Sequence, residues 1–195
     1  MKKMLYVLVI ILLSFTIYSC AKKSDSSSSS STTELEGTWV TSCHASGDYY
    51  RIMTLTTTGT EIVRKWELHS DSSCATNHDS YVRSGTSVSI GAAVTYQSGG
   101  TGHKFTFVTG ALIYTPQTST LTSNHNTSSF CGLSNWELDV GQDIAGKTCG
   151  DSSYISSGTT IYCQYLLDGS SVYMSCTTSS SYPGSVPSSN PYIKQ

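Results

Sequence analysis

Two short runs near the C-terminus constrain this chain more than any other feature. Ile161, Cys163, Tyr165 and Leu167 occupy alternate positions in the first, and Val172, Met174 and Cys176 do so in the second. A strand points successive side chains to opposite faces, so each set lies on one face. The turn residues Asp168-Gly169-Ser170-Ser171 between them predict a hairpin. Two registers are open. A loop of all four residues sets Leu167 opposite Val172 and Cys163 opposite Cys176, whereas a two-residue Asp-Gly turn sets Cys163 opposite Met174. Both keep the apolar faces together, and the first, favoured here, permits a disulfide.

Similar alternating runs recur upstream. Residues 37–43 read as a first strand. Residues 49–57 and 60–68 flank Thr58-Gly59 as a hairpin, with Ile62, Arg64, Trp66 and Leu68 on one face. Residues 81–90, interrupted at Gly85, suggest one bent strand or two short ones. Residues 94–97 and 104–109 flank a glycine-rich loop, and Phe105 and Phe107 share a face. Residues 112–115 and 119–122 bracket Pro116, a residue suited to a turn or a sheet edge. The spacing predicts an all-β fold, an antiparallel up-and-down barrel or sandwich of about eight strands. Residues 124–158 break the pattern and read as a long cysteine-containing insertion before the last hairpin, with short helical turns at 135–138 and 143–146. The barrel is thus expected over residues 34–177. Residues 178–195, rich in serine with Pro183, Pro187 and Pro191, read as a tail, loose or wrapped on the domain as an extended strip.

The N-terminus supplies an address. Lys2 and Lys3 precede an apolar run over residues 4–13, and Ile17-Tyr18-Ser19-Cys20 comes after it. The run is too short for a spanning helix and has the layout of a secretory signal. It resembles the bacterial lipoprotein signal, with Tyr18 standing where a small residue is usual. That resemblance implies cleavage after residue 19, acylation of Cys20 (palmitate among its chains), and attachment to a membrane. Ala21 in place of Asp implies the outer membrane, with either leaflet open. Residues 20–33, mostly serine, lack apolar groups and read as a flexible tether.

Export also explains the cysteines. Besides Cys20 there remain Cys43, Cys74, Cys131, Cys149, Cys163 and Cys176, an even set that reads as three disulfides in an oxidising compartment. Of about fifteen possible connectivities, the favoured pairs are Cys163–Cys176, Cys43–Cys74 and Cys131–Cys149. No CxxC pair marks a redox motif or a zinc ribbon.

A formal net charge of -2 with no basic stripe argues against nucleic acid as a partner. No nucleophile elbow, zincin helix, P-loop or dinucleotide fingerprint is present, and no carboxylate pair suggests acid–base work. The chain therefore reads as a non-enzyme without cofactor, and as a monomer. His44, His69, Asp71, His78 and Asp79 cluster around Cys43 and Cys74, yet their spacing fits no standard metal site, so no metal is expected.

Leu35-Glu36-Gly37-Thr38-Trp39 resembles the Gly-x-Trp signature that opens the first strand of lipocalin-like (calycin-type) barrels. The match rests on Gly37 and Trp39. The chain lacks the family's second motif, its final arginine and its C-terminal helix. The resemblance implies that Trp39 plugs one barrel end while the other receives a small apolar ligand. Trp66, Leu68, Phe105, Phe107 and Tyr165 are the candidate lining. The alternative is a surface module of adhesin or inhibitor type, with a filled barrel, binding a protein or glycan through Tyr-, Ser- and Gly-rich loops.

Overall fold

The computed structural model describes residues 34–95 and 101–195. The signal segment, Cys20 and the tether lie outside the described residues. Among the described residues twelve strands are present: β1 (Gly37–Thr41), β2 (His44–Ser46), β3 (Tyr49–Thr58), β4 (Glu61–His69), β5 (Asn77–Thr95), β6 (Thr101–Pro116), β7 (Gln142–Asp143), β8 (Thr148–Cys149), β9 (Ser152–Ser153), β10 (Thr160–Asp168), β11 (Ser171–Thr177) and β12 (Tyr192–Lys194). One α-helix, α1 (Ser119–Ser128), follows β6.

Eight of these strands close an antiparallel barrel in the order β1-β12-β11-β10-β6-β5-β4-β3, and β1 pairs with β3 to complete the ring. The wall is an up-and-down meander. Closure depends on β1, where Trp39 sits opposite Lys194 on one side and Leu55 on the other. Residues 192–194 are therefore part of the wall. The tail assigned to 178–195 ends as the eighth barrel strand, because an open edge between β1 and β11 would leave backbone groups unpaired. Its prolines fall in the irregular stretch before β12.

The terminal hairpin adopts the register with Cys163 opposite Cys176, and pairing continues to Asp168 opposite Ser171. The loop is thus Gly169-Ser170, with Gly169 at φ 58° in the left-handed region that glycine enters freely. All three disulfides form: Cys43–Cys74, Cys131–Cys149 and Cys163–Cys176, with Cα separations of 6.0, 4.1 and 4.1 Å.

Elsewhere the wall is longer than the sequence pattern suggests. The run at 81–90 and residues 94–95 of the next fall in one strand of 19 residues, β5, the rest of that run lying outside the described residues, and those at 104–109 and 112–115 merge into β6. Register shifts between Arg83/Gly85, Thr86/Ser89 and Ile90/Ala93 break the strict alternation, so single strands read as pieces. Residues 119–122 are helical instead of extended. The Thr118 side chain accepts from the Leu121 N–H at 3.2 Å as an N-cap, and Ser129 ends the helix in the left-handed region. The turns expected at 135–138 and 143–146 are not helical; the second begins as β7 paired to β6.

Two cores result. The first fills the barrel with Leu35, Trp39, Leu55, Ile62, Phe105, Phe107, Ile161, Cys163, Tyr165, Val172, Met174 and Tyr192. The second holds the insertion against the outer half of β6, through Leu112, Tyr114, Cys131, Trp136, Ile144 and Cys149. Gly85 lies in the first. A Cβ there would stand 2.5 Å from a Phe107 ring carbon and 2.8 Å from an Ile62 methyl. Gly85→Ala should therefore cost about 1–3 kcal/mol through overpacking, read as a lower urea midpoint at unchanged slope; an unchanged midpoint would show that the core has slack at this bulge.

Candidate ligand-binding site

Alternation along the wall decides which side chains face inward, and strand register decides how far along the axis each lies. At one end the interior is solid. Leu35 and Trp39 are fully buried, and the Trp39 indole N–H donates to the Leu35 carbonyl at 2.8 Å. The same carbonyl accepts from the Thr57 hydroxyl. Glu36 accepts from the Gly59 N–H at 2.6 Å, and Tyr165 donates to Glu34 at 2.7 Å. These bonds draw residues 34–36 against the barrel beside Trp39.

At the other end the interior is open. Arg51 on β3, Arg64, Trp66 and Leu68 on β4, Tyr81 and Arg83 on β5, and Phe107, Thr109 and Leu112 on β6 line a cavity of about 610 Å³. Ile161, Cys176 and Thr177 add the β10–β11 side, and Tyr154 and Ile155 reach in from the insertion. This cup lies between the two cores. Phe107 and Ile161 belong to the barrel core, whereas Leu112 belongs to the second, against which Trp66, Tyr81 and Tyr154 also pack. The volume falls in the range of about 300–1,000 Å³ typical of small-molecule sites.

Of the residues expected to line a ligand cavity, the structure brings Trp66, Leu68 and Phe107 to the cup. Phe105 and Tyr165 are placed elsewhere. They are 0% and 1% exposed, packed edge to face at 5.9 Å in the filled half. Both sit further from the mouth along their strands, where the Leu35 segment takes the space. Sequence reasoning missed Arg51, Arg64, Arg83, Tyr81 and Tyr154 as cup residues. For Arg64 the signal was present, since it shares a face with Ile62, Trp66 and Leu68.

The charges in this cup are unusual for a barrel interior. Arg64 and Arg83 are direct cross-strand partners in the β4–β5 register. The Arg83 guanidinium donates to the carbonyls of Ile155 at 3.0 Å and Gly110 at 3.5 Å. Burial holds Arg83 below the ordinary arginine value; Asp143 opposes that shift and Arg64 adds to it. Arg64 lies 4.9 Å from the Trp66 ring centre, a cation–π distance. The ion pairs among the described residues are Lys65–Glu67, His78–Asp79 and His103–Glu34, none of which engages an arginine.

Of the histidines and acids near Cys43 and Cys74, His69 is buried with neither ring nitrogen hydrogen-bonded, and the others are engaged locally. Asp71 accepts from the Ser73 hydroxyl and from the N–H groups of Ser73, Ala75 and Thr76; the Ser73 hydroxyl first, then the Thr76 and Ala75 N–H groups, hold its carboxyl far below the usual range. His44 bonds the Ser42 carbonyl at 2.9 Å, and His78 faces Asp79 at 3.2 Å. Among the described residues no three His, Cys, Asp or Glu side chains gather at metal-binding distance.

One buried histidine anchors the wall of the site. His125 on α1 bonds the Tyr114 hydroxyl at 2.7 Å and stacks on Phe130 at 4.0 Å. Burial lowers its pKa from 6.5, with Asp79 opposing and His78 reinforcing the shift. The unfolded state therefore binds more protons just below that value, so stability falls with falling pH. The domain should be fully stable above about pH 6.5 and lose stability progressively below it. Urea midpoints measured across that window should show the slope in the wild type and a flatter one in His125→Phe; equal slopes would remove His125 from the cause.

Compared with known proteins, the chain matches no family model and no curated sequence.

Proposed function

We propose that this protein is a lipid-anchored binding protein whose open barrel end receives a small molecule, in the manner of lipocalin-like barrels. The observation that carries the reading is the contrast within one barrel: a filled half around Trp39 and a cup of about 610 Å³ above it. Trp66, Leu68, Phe107, Leu112 and Ile161 offer apolar walls to a ligand body. A surface module with a filled barrel has no use for such space, and for that reason the small-ligand reading is preferred.

The reading is of a binder and not of an enzyme. The polar side chains lining the cup are arginines, tyrosines and threonines, which hold and orient a ligand. Among the described lining residues there is no carboxylate or histidine to move a proton near neutral pH.

The signal segment supports placement at the outer membrane through acyl chains on Cys20. Among the described residues no helix is long and apolar enough to cross a membrane. Cys20→Ser should move the protein out of the membrane fraction and abolish labelling by a palmitate analogue. Membrane retention of an unlabelled variant would argue against the anchor.

Binding itself is tested by native mass spectrometry of the protein after exposure to a lipid extract of its producing cells. A bound mass that leaves on denaturation is expected. Leu68→Trp, which fills the cup from the β4 wall, should abolish that mass while leaving thermal unfolding cooperative. An unliganded mass in the wild type, or retention of the ligand by Leu68→Trp, would count against the cup as the site.

A further inference from the structure

We propose that the cup selects an amphipathic anion, with an apolar body against Trp66 and Phe107 and an oxyanion head held by Arg51, Arg64 and Arg83. The proposal rests on the small-ligand reading above and names the chemical class of the ligand.

Register places the charges together. Arg64 stands directly opposite Arg83, and both point inward, because Arg64 alternates with Ile62 and Trp66 and Arg83 with Tyr81 and Gly85. Like charges directly opposite in a sheet repel one another, and guanidinium groups remain charged at any physiological pH. Arg51 lines the same cavity from β3. A barrel interior thus gathers three permanent positive charges in one cup.

Among the described residues no ion pair joins any of them to a carboxylate. Arg83 is only 7% exposed and finds neutral carbonyls as acceptors. The Nε atoms of Arg51 and Arg64 are buried and have no hydrogen-bond partner. Asp143 is the carboxylate that attracts Arg83, yet its Oδ1 accepts from the Leu112 N–H at 3.1 Å and the Ala145 N–H at 2.9 Å. Glu61 and Glu67 on β4 alternate to the outer face, where Glu67 pairs with Lys65, and Asp79, which shares the inner face of β5 with Tyr81 and Arg83, pairs with His78 at 3.2 Å and with no arginine. The inward charge is left for something else to complete.

An oxyanion fits what is missing. Carboxylate, phosphate and sulfate each present two or more acceptor oxygens, which match the planar donor fork of arginine. A low-dielectric cup strengthens that attraction relative to water. The adjoining aromatic and aliphatic wall gives the rest of the molecule a reason to enter, so a bare inorganic ion is the poorer occupant.

The test uses the full chain in lipid nanodiscs, titrated calorimetrically with naphthalene-2-carboxylate and its neutral isostere naphthalene-2-carboxamide, with empty discs as the blank. The carboxylate should bind at least about tenfold more tightly, and its advantage should shrink as salt is raised. Arg64→Met and Arg51→Met should each bring the two probes to within about threefold, while Arg64→Lys should restore part of the gap because charge returns without the fork. In ligand-free protein, Arg64→Met should also raise the melting temperature by relieving repulsion with Arg83, which a purely structural arginine would not do. Equal binding of both probes would overturn the anionic head and leave the cup standing. Binding of neither would overturn it too, with the cup then judged by the lipid-extract experiment. A charge preference surviving both methionine variants would place the anion elsewhere and overturn the assignment.

Discussion

The structure depends on a single strand of five residues being paired on both edges. Strand β1 takes its hydrogen bonds from β3 on one side and β12 on the other, so without it the meander is an open sheet with two exposed edges. Its central residue, Trp39, fixes that strand from within. The indole fills the barrel, its N–H is satisfied by the Leu35 carbonyl, and Lys194 lies over its ring at 5.0 Å. Closure and filling of this end are therefore one event. Residues 34–36 accompany Trp39 inward because a buried indole N–H needs an acceptor, and the Leu35 carbonyl is the one within reach.

The opposite end is open because β5 and β6 outgrow the barrel. The outer half of β6 pairs with β5, itself paired to β4, beyond the reach of β10, and carries apolar side chains that need cover. The insertion supplies that cover. The Cys131–Cys149 bridge, Trp136 and Ile144 pack on Leu112 and Tyr114, and the Asn126 side chain ties α1 to the Trp136 backbone in both directions, at 2.7 and 2.9 Å. Apolar material that could have filled the cup is thereby used beside it. Trp66 and Tyr81 belong to both neighbourhoods, which makes the cup wall continuous with a disulfide-stapled core and so pre-organised for a ligand.

Electrostatics are set by the same geometry. A guanidinium in water is inexpensive, and one in a barrel is not, so the inward placement of Arg51, Arg64 and Arg83 sets local stability against the capacity to hold an anion. Stacking on Trp66 and bonds to main-chain carbonyls lower that cost without cancelling the charge. Net charge gave no hint of this, because a total does not record which acids face the arginines, and no ion pair among the described residues joins them to one.

Local pattern, and the pairings it dictates between neighbours, can be read from the residues alone. Period-two runs such as 161–167 and 172–176 specify strands, the shared face of Cys163 and Cys176 permits a cross-strand bridge in one of two registers, and Gly37-x-Trp39 marks a first strand. These features depend on near neighbours and on the two-residue repeat. The remainder was settled only in three dimensions. The bulges at Gly85 and beyond shift the repeat, so two strands looked like four. Three residues, 192–194, carry too little pattern to announce a barrel strand, and they become one because β1 and β11 leave an edge to fill. Phe105 and Phe107 are equivalent in the repeat, yet one is sealed in the core and the other lines the cup. Depth along a barrel axis is set by the register of eight strands together and by where residue 35 folds in, and no local pattern encodes a sum over strands so distant in the chain.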